Sequence, residues 1–237
     1  MNPIINQMNQ HFSVRQFKKE KISDEALRAI IDAGRSASTW MNFQSYSIII
    51  VKKTEKKQQI YDLLGQPSIL SAEVFLVFVG DFYRAKQVTE ARGKSFNPEG
   101  VERLLVTSVD AALVAQNTLL AAESIGLGGV IIGMLRTQSE AISELLELPD
   151  YTYPLIAISL GVPDEHHEVK PRLPYENVVF DETYQILPDS FIKSFDEIQS
   201  AYGGGRQATL WSERVANYFS GDATPSTLQN LKNKKLM

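Results

Sequence analysis

The apolar residues are most concentrated between positions 101 and 136. Over 101–125, apolar and small side chains fall on almost every face of a helix, and no charged residue lies between Asp110 and Glu123. A helix that is apolar all round is buried, either in a large core or in a membrane. Polar residues interrupt the run of about 20 apolar residues that a membrane span needs. The pattern therefore predicts a central buried helix that ends at Gly126.

Shorter apolar runs, rich in β-branched and aromatic residues, are typical of buried strands. Four such runs occur along the chain, at 46–51, 74–80, 130–135 and 153–160. Gly133 lies inside the third run, and a glycine within a strand often marks a close approach of a ligand or of another backbone. The third run is therefore the first hint of a site.

Capping residues predict three helices, one before the first of these strands and two between strands. Ser23 has the position of an N-cap, and Thr54 is predicted to cap a short helix that Gly65 closes in the left-handed conformation. The residues 137–140 form a capping box for a helix that continues to about Leu148. Two more helices are predicted, one from about 190 and one near 211–219. The segment 84–100 is predicted to be a polar connection, and a polar tail is predicted to end the chain.

Strands that alternate with helices ordinarily indicate a parallel, doubly wound sheet. The spacing is equally compatible with an antiparallel or mixed sheet flanked by helices. Its 237 residues suit one large domain better than two small ones.

Charge and composition remove several classes of function. The net charge is −4 without a dense basic run, so nucleic-acid binding is not expected. The absence of cysteine excludes disulfides, thiolate metal sites and cysteine nucleophiles. The first residues contain no apolar run of signal-peptide length. We expect a soluble cytoplasmic protein without a membrane segment.

Two motifs with a known chemical meaning fail on inspection. Gly126-x-Gly128 resembles part of a dinucleotide fingerprint, but Ile131 replaces its third glycine and the motif follows a helix instead of a strand. Glu165-His166-His167-Glu168 has metal-ligating residue types without the H-E-x-x-H spacing, and its polar context favours a solvated loop. No metal site is predicted.

Two basic clusters suggest an anion site. His11, Ser13 and Arg15 bring imidazole, hydroxyl and guanidinium together before the first capped helix, and arginine binds phosphate with two parallel hydrogen bonds. Lys170 and Arg172 flank a proline that restricts the backbone. With the glycine-rich backbone at 128–133, these clusters suit a phosphorylated, planar ligand. An ordinary surface loop and an ordinary charged turn are the alternatives.

A set of motifs in a fixed order then points to a family. The motifs are His11-x-Ser13-x-Arg15-x-Phe17, Ala37-Ser-Thr-x-x-Asn-Phe-Gln44, Leu64-Gly-Gln66, Gly126-Leu-Gly-Gly-Val-x-Ile-Gly-x-Leu-Arg136 and Lys170-Pro-Arg-Leu-Pro174. Together, over roughly residues 1–215, the chain resembles the oxygen-insensitive NADPH nitroreductases and NADPH–flavin reductases of the nitroreductase superfamily.

The resemblance implies an α+β fold, a mixed but mainly antiparallel sheet flanked by helices, in an intertwined homodimer that holds FMN at its interface. It implies a single nitroreductase domain over 1–237, in which 190–237 forms a C-terminal excursion that embraces the partner subunit. The uncharged stretch 111–122 agrees with a dimer because it offers more apolar surface than one subunit needs to bury.

The resemblance also assigns roles to residues. FMN would be bound without a covalent link by the phosphate and ribityl contacts His11, Ser13 and Arg15, by Thr39 and Gln66 at the ribityl chain or ring edge, by Ile132, Gly133 and Met134 against the ring, and by Lys170 and Arg172 in the anion pocket. Trp40, Met41 and Met134 are bulkier than the residues usual in the family, and we expect them to narrow the substrate side.

By the same resemblance, FMN carries the chemistry and no side chain acts as a catalyst. NADPH is the expected co-substrate, and nitroaromatics, quinones or free flavins are the expected acceptors in a ping-pong, two-electron hydride transfer. Arg206, after three glycines, is the candidate for binding the 2′-phosphate of NADPH; a flexible turn with a solvated arginine is the alternative. A non-catalytic FMN-binding or redox-sensing protein of the same fold and a Rossmann-type dehydrogenase are the rival interpretations.

Overall fold

The computed structural model describes residues 2–202, 209–221 and 225–237. The α-helices within these residues are α1 (Pro3–Asn9), α2 (Asp24–Arg35), α3 (Thr54–Leu64), α4 (Ser68–Ser71), α5 (Tyr83–Ala91), α6 (Val101–Ser124), α7 (Ser139–Leu145), α8 (Ser190–Tyr202), α9 (Trp211–Ser220) and α10 (Pro225–Asn233). The strands are β1 (Tyr46–Val51), β2 (Val74–Asp81), β3 (Gly128–Ile132) and β4 (Thr152–Gly161). Short 3₁₀ turns lie at Trp40–Asn42, Met134–Gln138 and Tyr175–Asn177.

The chain divides into two compact units. The first unit comprises Met1–His167 with Thr224–Met237, and the second unit comprises Glu168–Ala223. The whole sheet and the central helix α6 belong to the first unit. The single-domain interpretation, with its C-terminal excursion, stays a prediction.

The four strands form one sheet in the order β1-β2-β4-β3, and every pair among them is antiparallel. A parallel, doubly wound arrangement, the ordinary interpretation of the alternating pattern, is therefore wrong for these strands. The alternation of strands and helices does not determine strand direction, because a connection that contains a helix can join antiparallel strands as well as parallel ones. The antiparallel sheet flanked by helices agrees with the fold that the family resemblance implied.

Strand β2 is buried on both faces, which explains its uninterrupted apolar sequence. Its side chains alternate between two separate clusters. Leu76 and Phe78 join α2 and α6 on one face, whereas Phe75 and Val77 join α3 and α7 on the other. The sheet of the first unit is thus covered by helices on both faces.

Helix α6 is the predicted central helix, and its bounds agree with the prediction to within a residue. Residues on one side pack on the sheet and on α2: Thr107, Asp110, Ala111, Val114, Ala115, Thr118, Leu119 and Ala122 are buried. Gly34 of α2 allows the two helices to approach closely, because a Cβ atom there would lie 2.1 Å from Thr118 Oγ1. The prediction of burial on every side is wrong for one side of the helix, where Leu105, Val109 and Leu113 are exposed in the single chain.

By length and composition, α6 could also cross a membrane, and it is the one such helix among the described residues. In its most apolar stretch of 18 residues, 39% is buried. Its packing against the sheet and α2 is that of a core helix in a water-soluble protein.

The cap predictions had mixed outcomes. Ser23 caps α2 as predicted, with its Oγ accepting a hydrogen bond from the Ala26 N–H. Gly65 closes α3 at φ 64°. Thr54 is not an N-cap, because α3 begins at Thr54 itself and Lys53 occupies the cap position. The capping box at 137–140 is also wrong: the Thr137 hydroxyl donates to the Met134 carbonyl within a 3₁₀ turn, and α7 begins at Ser139.

Two segments predicted as polar connections contain helices. Part of 84–100 belongs to α5, and the polar tail forms α10. Helix α10 packs on α7 of the same chain: the side chain of Asn230, which is buried, donates to Ser139 Oγ at 2.9 Å. Helix α5 exposes most of its residues, and α10 has few apolar residues, so neither helix shows a clear apolar period in the sequence.

Within the second unit, α8 packs against α9. The Asp196 carboxylate accepts hydrogen bonds from the Ser212 N–H at 2.9 Å and from the Ser212 hydroxyl at 2.5 Å. These bonds, from the hydroxyl first, lower the pKa of Asp196. Phe195 meets Trp211 edge to face at 5.0 Å between ring centroids. The two predicted helices of this region are therefore confirmed.

Candidate functional site

The segment 11–17 runs between the end of α1 and the outer side of β3. The Val14 N–H donates to the Gly129 carbonyl at 3.0 Å, and Phe17 forms a β-bridge with Pro163. Phe12, Val14 and Phe17 pack in a small apolar cluster. His11, Ser13 and Arg15 alternate in the sequence with Phe12, Val14 and Gln16, and Val14 is the buried residue among these six.

The Arg15 backbone is held at both of its polar groups. Glu165 Oε1 accepts the Arg15 N–H at 2.5 Å and the Gln16 N–H at 3.2 Å, and the Ser71 hydroxyl donates to the Arg15 carbonyl at 3.1 Å. The Arg15 side chain is exposed, and its guanidinium makes no hydrogen bond to any residue that the structure describes. An arginine with a fixed backbone and an unpaired fork of donors is suited to an anion.

Glu165 itself is further held by His167. Its Oε2 lies 3.0 Å from His167 Nε2, in an ion-pair contact whose angle is poor for a hydrogen bond. Burial raises the pKa of Glu165, but the Arg15 and Gln16 N–H groups and His167 outweigh burial, and the pKa lies below its ordinary value. The carboxyl is therefore kept ionised, as an acceptor.

His11 is held by the C-terminal end of α6. Its Nδ1 lies 2.6 Å from Glu123 Oε1, at the C-terminal end of α6. Helix α1 lies against the same end of α6, where the Gln7 side chain donates to the Leu120 carbonyl at 2.8 Å. Because Glu123 occupies Nδ1, the other ring nitrogen, Nε2, is the one that remains for a ligand.

The structure also brings Gln66 and Met134 together. Gln66 Nε2 lies 3.4 Å from Met134 Sδ, just after the end of β3. Ile132 is buried, and Gly133 follows the strand instead of lying inside it. Helix α4 connects Gln66 with Ser71, which binds Arg15. The predicted contacts Arg15, Gln66 and Met134 are therefore linked within the first unit. Gln66 contacts Met134, and the chain from Gln66 through α4 ends at Ser71, which contacts Arg15.

The glycines at the start of β3 allow close packing within the protein. A Cβ atom on Gly128 would lie 2.6 Å from Val14 Cγ2, and one on Gly129 would lie 2.9 Å from Leu119 Cδ1. The chain's own atoms thus approach closely at Gly128 and Gly129, and a contact of the glycine-rich backbone at 128–133 with a ligand stays a prediction.

Thr39 lies in a separate loop. Its Oγ1 accepts the Gln44 N–H at 3.4 Å, and no described bond joins it to the other predicted contacts. The loop is held by Asp110 of α6, whose carboxylate accepts the Trp40 N–H at 2.9 Å and the Ser45 N–H at 3.2 Å. The bulky side chains predicted to narrow the substrate side are exposed here, Trp40 to 55% and Met41 to 72%.

That loop is also strained. Met41, Asn42 and Gln44 have φ angles of 46°, 57° and 54°. Residues other than glycine in the left-handed region cost about 1–3 kcal/mol each and persist only where the surroundings impose them. The buried carboxylate of Asp110 restrains the loop at Trp40 and Ser45, and Arg84 Nη2 restrains it further by donating to the Gln44 carbonyl at 2.9 Å.

Lys170 and Arg172 belong to the second unit. Arg172 Nη1 donates to the Lys170 carbonyl at 2.8 Å, and the intervening Pro171 carbonyl accepts a hydrogen bond from Gln199 Nε2 at 3.2 Å. Their place in the anion pocket stays a prediction. Arg206 lies outside the described residues.

The residues that hold the site were missed or misread in the sequence. Glu165 and His167 were interpreted as a solvated loop, but their side chains are only 14% and 26% exposed. That interpretation is wrong because the connector packs against the segment at 11–17, with Phe12 in edge contact with the His166 ring at 4.8 Å. Among the described residues, no group of three or more metal-ligating side chains could hold a metal ion.

The arrangement in the first unit suits an anionic ligand that carries a flat ring. A guanidinium, an imidazole and a hydroxyl lie within five residues of a segment whose backbone is fixed at Val14, Arg15 and Gln16. An amide and a thioether, at Gln66 and Met134, lie near the apolar end of β3. The residues present therefore fit FMN, with its phosphate and its ring, and they include no nucleophile–base pair of the kind that hydrolases use.

Comparison with known proteins agrees with this chemistry. The Nitroreductase family model matches residues 8–162, and the model of the Nitroreductase family, C-terminal domain, matches residues 170–237. The chain is 38% identical to an NADPH-flavin oxidoreductase from Vibrio harveyi over 100% of this chain and 99% of that protein. It is 39% identical to an FMN reductase (NAD(P)H) from Bacillus subtilis over 92% of each.

A solved structure gives the same result for the fold. Nitroreductase A from Vibrio parahaemolyticus superposes with a TM-score of 0.93 at 38% identity and covers 99% of this chain and 98% of that one. The family models together match nearly the whole chain, in the order in which the sequence motifs occur. On the motifs, the fold and these matches, the chain belongs to the nitroreductase family.

Proposed function

We propose that this protein is an FMN-dependent oxidoreductase that uses NADPH to reduce flavins, nitroaromatics or quinones. The relatives named as an NADPH-flavin oxidoreductase and as an FMN reductase support both the cofactor and the co-substrate. The observation that carries the proposal in the structure itself is the fixed segment at 11–17. Its exposed Arg15 guanidinium has no partner among the described residues.

The chain's own residues would bind and orient the cofactor. Arg15, Ser13 and His11 would hold the phosphate end, and Gln66 with the residues after β3 would meet the ring. Thr39, Lys170 and Arg172 would complete the contacts. When bound, FMN supplies a group that takes up a hydride from NADPH and delivers two electrons to an acceptor.

One site that serves both substrates in turn requires ping-pong kinetics, in which NADP⁺ leaves before the acceptor binds. Trp40, Met41 and Met134 would set the size of the acceptor that enters. Arg206 would bind the 2′-phosphate of NADPH, which a guanidinium matches with two hydrogen bonds.

We propose further that the protein is a cytoplasmic homodimer that binds neither nucleic acid nor a membrane. The apolar side chains Leu105, Val109 and Leu113 form a stripe on α6, at positions spaced by four residues, that the single chain leaves exposed. A second copy of the chain would cover this stripe. Within the excursion 190–237, α10 packs on its own chain. The excursion would therefore contribute to the same interface through α8 and α9.

The proposal is tested by flavin binding followed by reduction. FMN is titrated into the purified apoprotein, and the holoprotein is mixed with NADPH under anaerobic conditions. We expect the flavin absorbance to bleach and to return when a quinone is added. In Arg15→Ala, the affinity for FMN should fall by about ten- to a hundredfold, the equivalent of a charged hydrogen bond. Arg28→Ala is the matched control, because Arg28 pairs with Asp32 on the exposed face of α2.

Each outcome has a separate meaning. Unchanged FMN affinity in Arg15→Ala would contradict the assignment of the site. FMN binding without bleaching by NADPH would favour the alternative, a flavin-binding or redox-sensing protein without catalysis. A protein that binds NADPH but no flavin would contradict the proposed function.

A further inference from the structure

Glu165 holds the segment that carries Arg15, although it carries the same sign of charge as the expected ligand. It lies just beyond β4, about 150 residues from Arg15 along the chain. One carboxylate oxygen, Oε1, accepts two consecutive backbone N–H groups, at 2.5 Å from Arg15 and 3.2 Å from Gln16. The other oxygen faces His167 at 3.0 Å. Both oxygens thus have partners that belong to the protein.

The acceptor oxygen of Glu165 is occupied by backbone N–H groups and not by the Arg15 side chain. An arginine near a glutamate ordinarily forms an ion pair with it, and that pair would occupy the donors that an anionic ligand needs. Here no described bond joins the Arg15 guanidinium to Glu165. The carboxylate binds the backbone of Arg15 and leaves the guanidinium for a ligand.

The remaining backbone groups of the segment are held as well. The Ser71 hydroxyl donates to the Arg15 carbonyl at 3.1 Å, and the Asp164 N–H donates to the Gln16 carbonyl at 3.0 Å. On either side, the N–H groups of Val14 and Lys18 donate to backbone carbonyls. Glu165 is the one partner of the Arg15 and Gln16 N–H groups among the described residues.

We propose that Glu165 is a positioning residue for flavin binding: it fixes the backbone of Arg15 and Gln16 so that the guanidinium is already in place when the anionic end of FMN arrives. The inference rests on the proposed function, because it assumes that Arg15 meets FMN. A fixed contact group raises affinity because less conformational entropy is lost on binding. His167 Nε2 lies 3.0 Å from the second carboxylate oxygen of Glu165.

Two substitutions at Glu165 separate positioning from charge. Glu165→Ala removes the acceptor, and Glu165→Gln keeps an acceptor oxygen while it removes the charge. Glu20→Ala is the matched control, since Glu20 is exposed nearby in the sequence. FMN affinity is measured by quenching of flavin fluorescence, well below the melting temperature of each variant. We expect a five- to twentyfold loss in Glu165→Ala, about the effect of one or two lost hydrogen bonds. Glu165→Gln should retain affinity within about threefold, and Glu20→Ala should match the unmodified protein.

A second measurement does not depend on FMN. Hydrogen–deuterium exchange in the apoprotein should become faster at the Arg15 and Gln16 amides in Glu165→Ala and stay slow in Glu165→Gln. Ser71→Ala, which releases the Arg15 carbonyl instead, should weaken FMN binding by about two- to fivefold. This variant tests the same idea if Glu165→Ala folds poorly.

The outcomes distinguish the inference from the function on which it rests. If the unmodified protein binds FMN and Glu165→Ala binds it equally well, only the inference fails, and Glu165 supports the fold alone. If Ala and Gln both tighten binding, Glu165 acts as a repelling charge, and the inference again fails. If the unmodified protein binds no FMN, the proposed function fails and the inference with it.

Discussion

The two halves of α6 have similar apolar sequences but different surroundings. In the C-terminal half, Ala115 and Leu119 are buried within their own subunit, against the sheet and α2. In the N-terminal half, Leu105 and Val109 are exposed to 55% and 53%. An apolar sequence therefore predicts that a surface will be covered without revealing which partner covers it.

The two halves also differ in their hydrogen bonds to the sheet. Near the N-terminal end, the Tyr153 hydroxyl of β4 lies 2.8 Å from Ser108 Oγ and donates to the Leu104 carbonyl at 3.2 Å. In the C-terminal half, the Thr118 hydroxyl bonds only within the helix, to the Val114 carbonyl. The N-terminal half is attached to its own sheet by directed bonds, and the C-terminal half mainly by packing.

The largest effect should come from charge on the exposed stripe. Val109→Glu together with Leu113→Glu would place two carboxylates in the proposed dimer interface, where an unpaired charge is costly to bury. Sedimentation velocity should show a folded monomer with an unchanged circular dichroism spectrum. Glu102→Gln, a change of charge in the exposed first turn of the same helix, is the control. A dimer of unchanged stability would mean that this stripe is not the interface.

The next effect concerns the buried half. Leu119→Ala should cost about 2–5 kcal/mol of unfolding free energy, the usual range for a fully buried leucine. Urea unfolding should give this loss at every protein concentration, because Leu119 packs within one subunit. The matched change Leu113→Ala should instead alter the dimer dissociation constant. Equal dependence of both variants on protein concentration would remove the distinction between the buried side of the helix and its exposed stripe.

A smaller effect is expected where α2 crosses the buried half. Gly34→Ala should cost about 1–3 kcal/mol, because the new methyl group would meet the Thr118 hydroxyl. The double variant Gly34→Ala, Thr118→Ala should recover most of the loss by vacating that space. Thermal unfolding of both variants measures the recovery, and additive losses would place the strain elsewhere.

The smallest effect concerns the polar attachment of the exposed half. Tyr153→Phe should cost about 1 kcal/mol at neutral pH, the net contribution of a hydrogen bond. Burial raises the pKa of Tyr153 to about 12. A raised pKa stabilises the folded protein below the unfolded-state value of about 10, and this contribution is lost as the pH rises to 12.

Tyr153→Phe should therefore flatten the fall in stability between pH 10 and 12, which denaturant titrations at several alkaline pH values would measure. An identical fall in the unmodified protein and the variant would assign the alkaline titration to other groups.

The sequence predicted the strands and α6 from their long apolar runs, and it also predicted α9, which buries no residue. It missed α5, where no residue is buried, and α10. The sequence also placed the surplus of apolar surface at 111–122. The structure buries half of the residues there and exposes Leu113 among them, and it exposes Leu105 and Val109 before that stretch. Periodicity identifies a helix, but the choice of buried face depends on contacts that are distant in the chain.

The candidate site shows the same division. The residues that meet a ligand could be proposed from local motifs, because His11, Ser13 and Arg15 are close in sequence. Their supports could not, because Glu123 and Glu165 reach them over more than 100 residues. Only folding brings such pairs together, and a lone glutamate in a polar stretch resembles any solvated residue.

The main-chain bond between Val14 and Gly129 has a consequence for solubility. In the order β1-β2-β4-β3, β3 is an edge strand, and its outer carbonyl at Gly129 is occupied by the Val14 N–H. Unpaired strand edges recruit other chains into aggregates. The segment proposed to bind flavin therefore also shields an aggregation-prone edge. A substitution that loosened this segment would therefore uncover the edge of β3 as well as disturb the proposed flavin site.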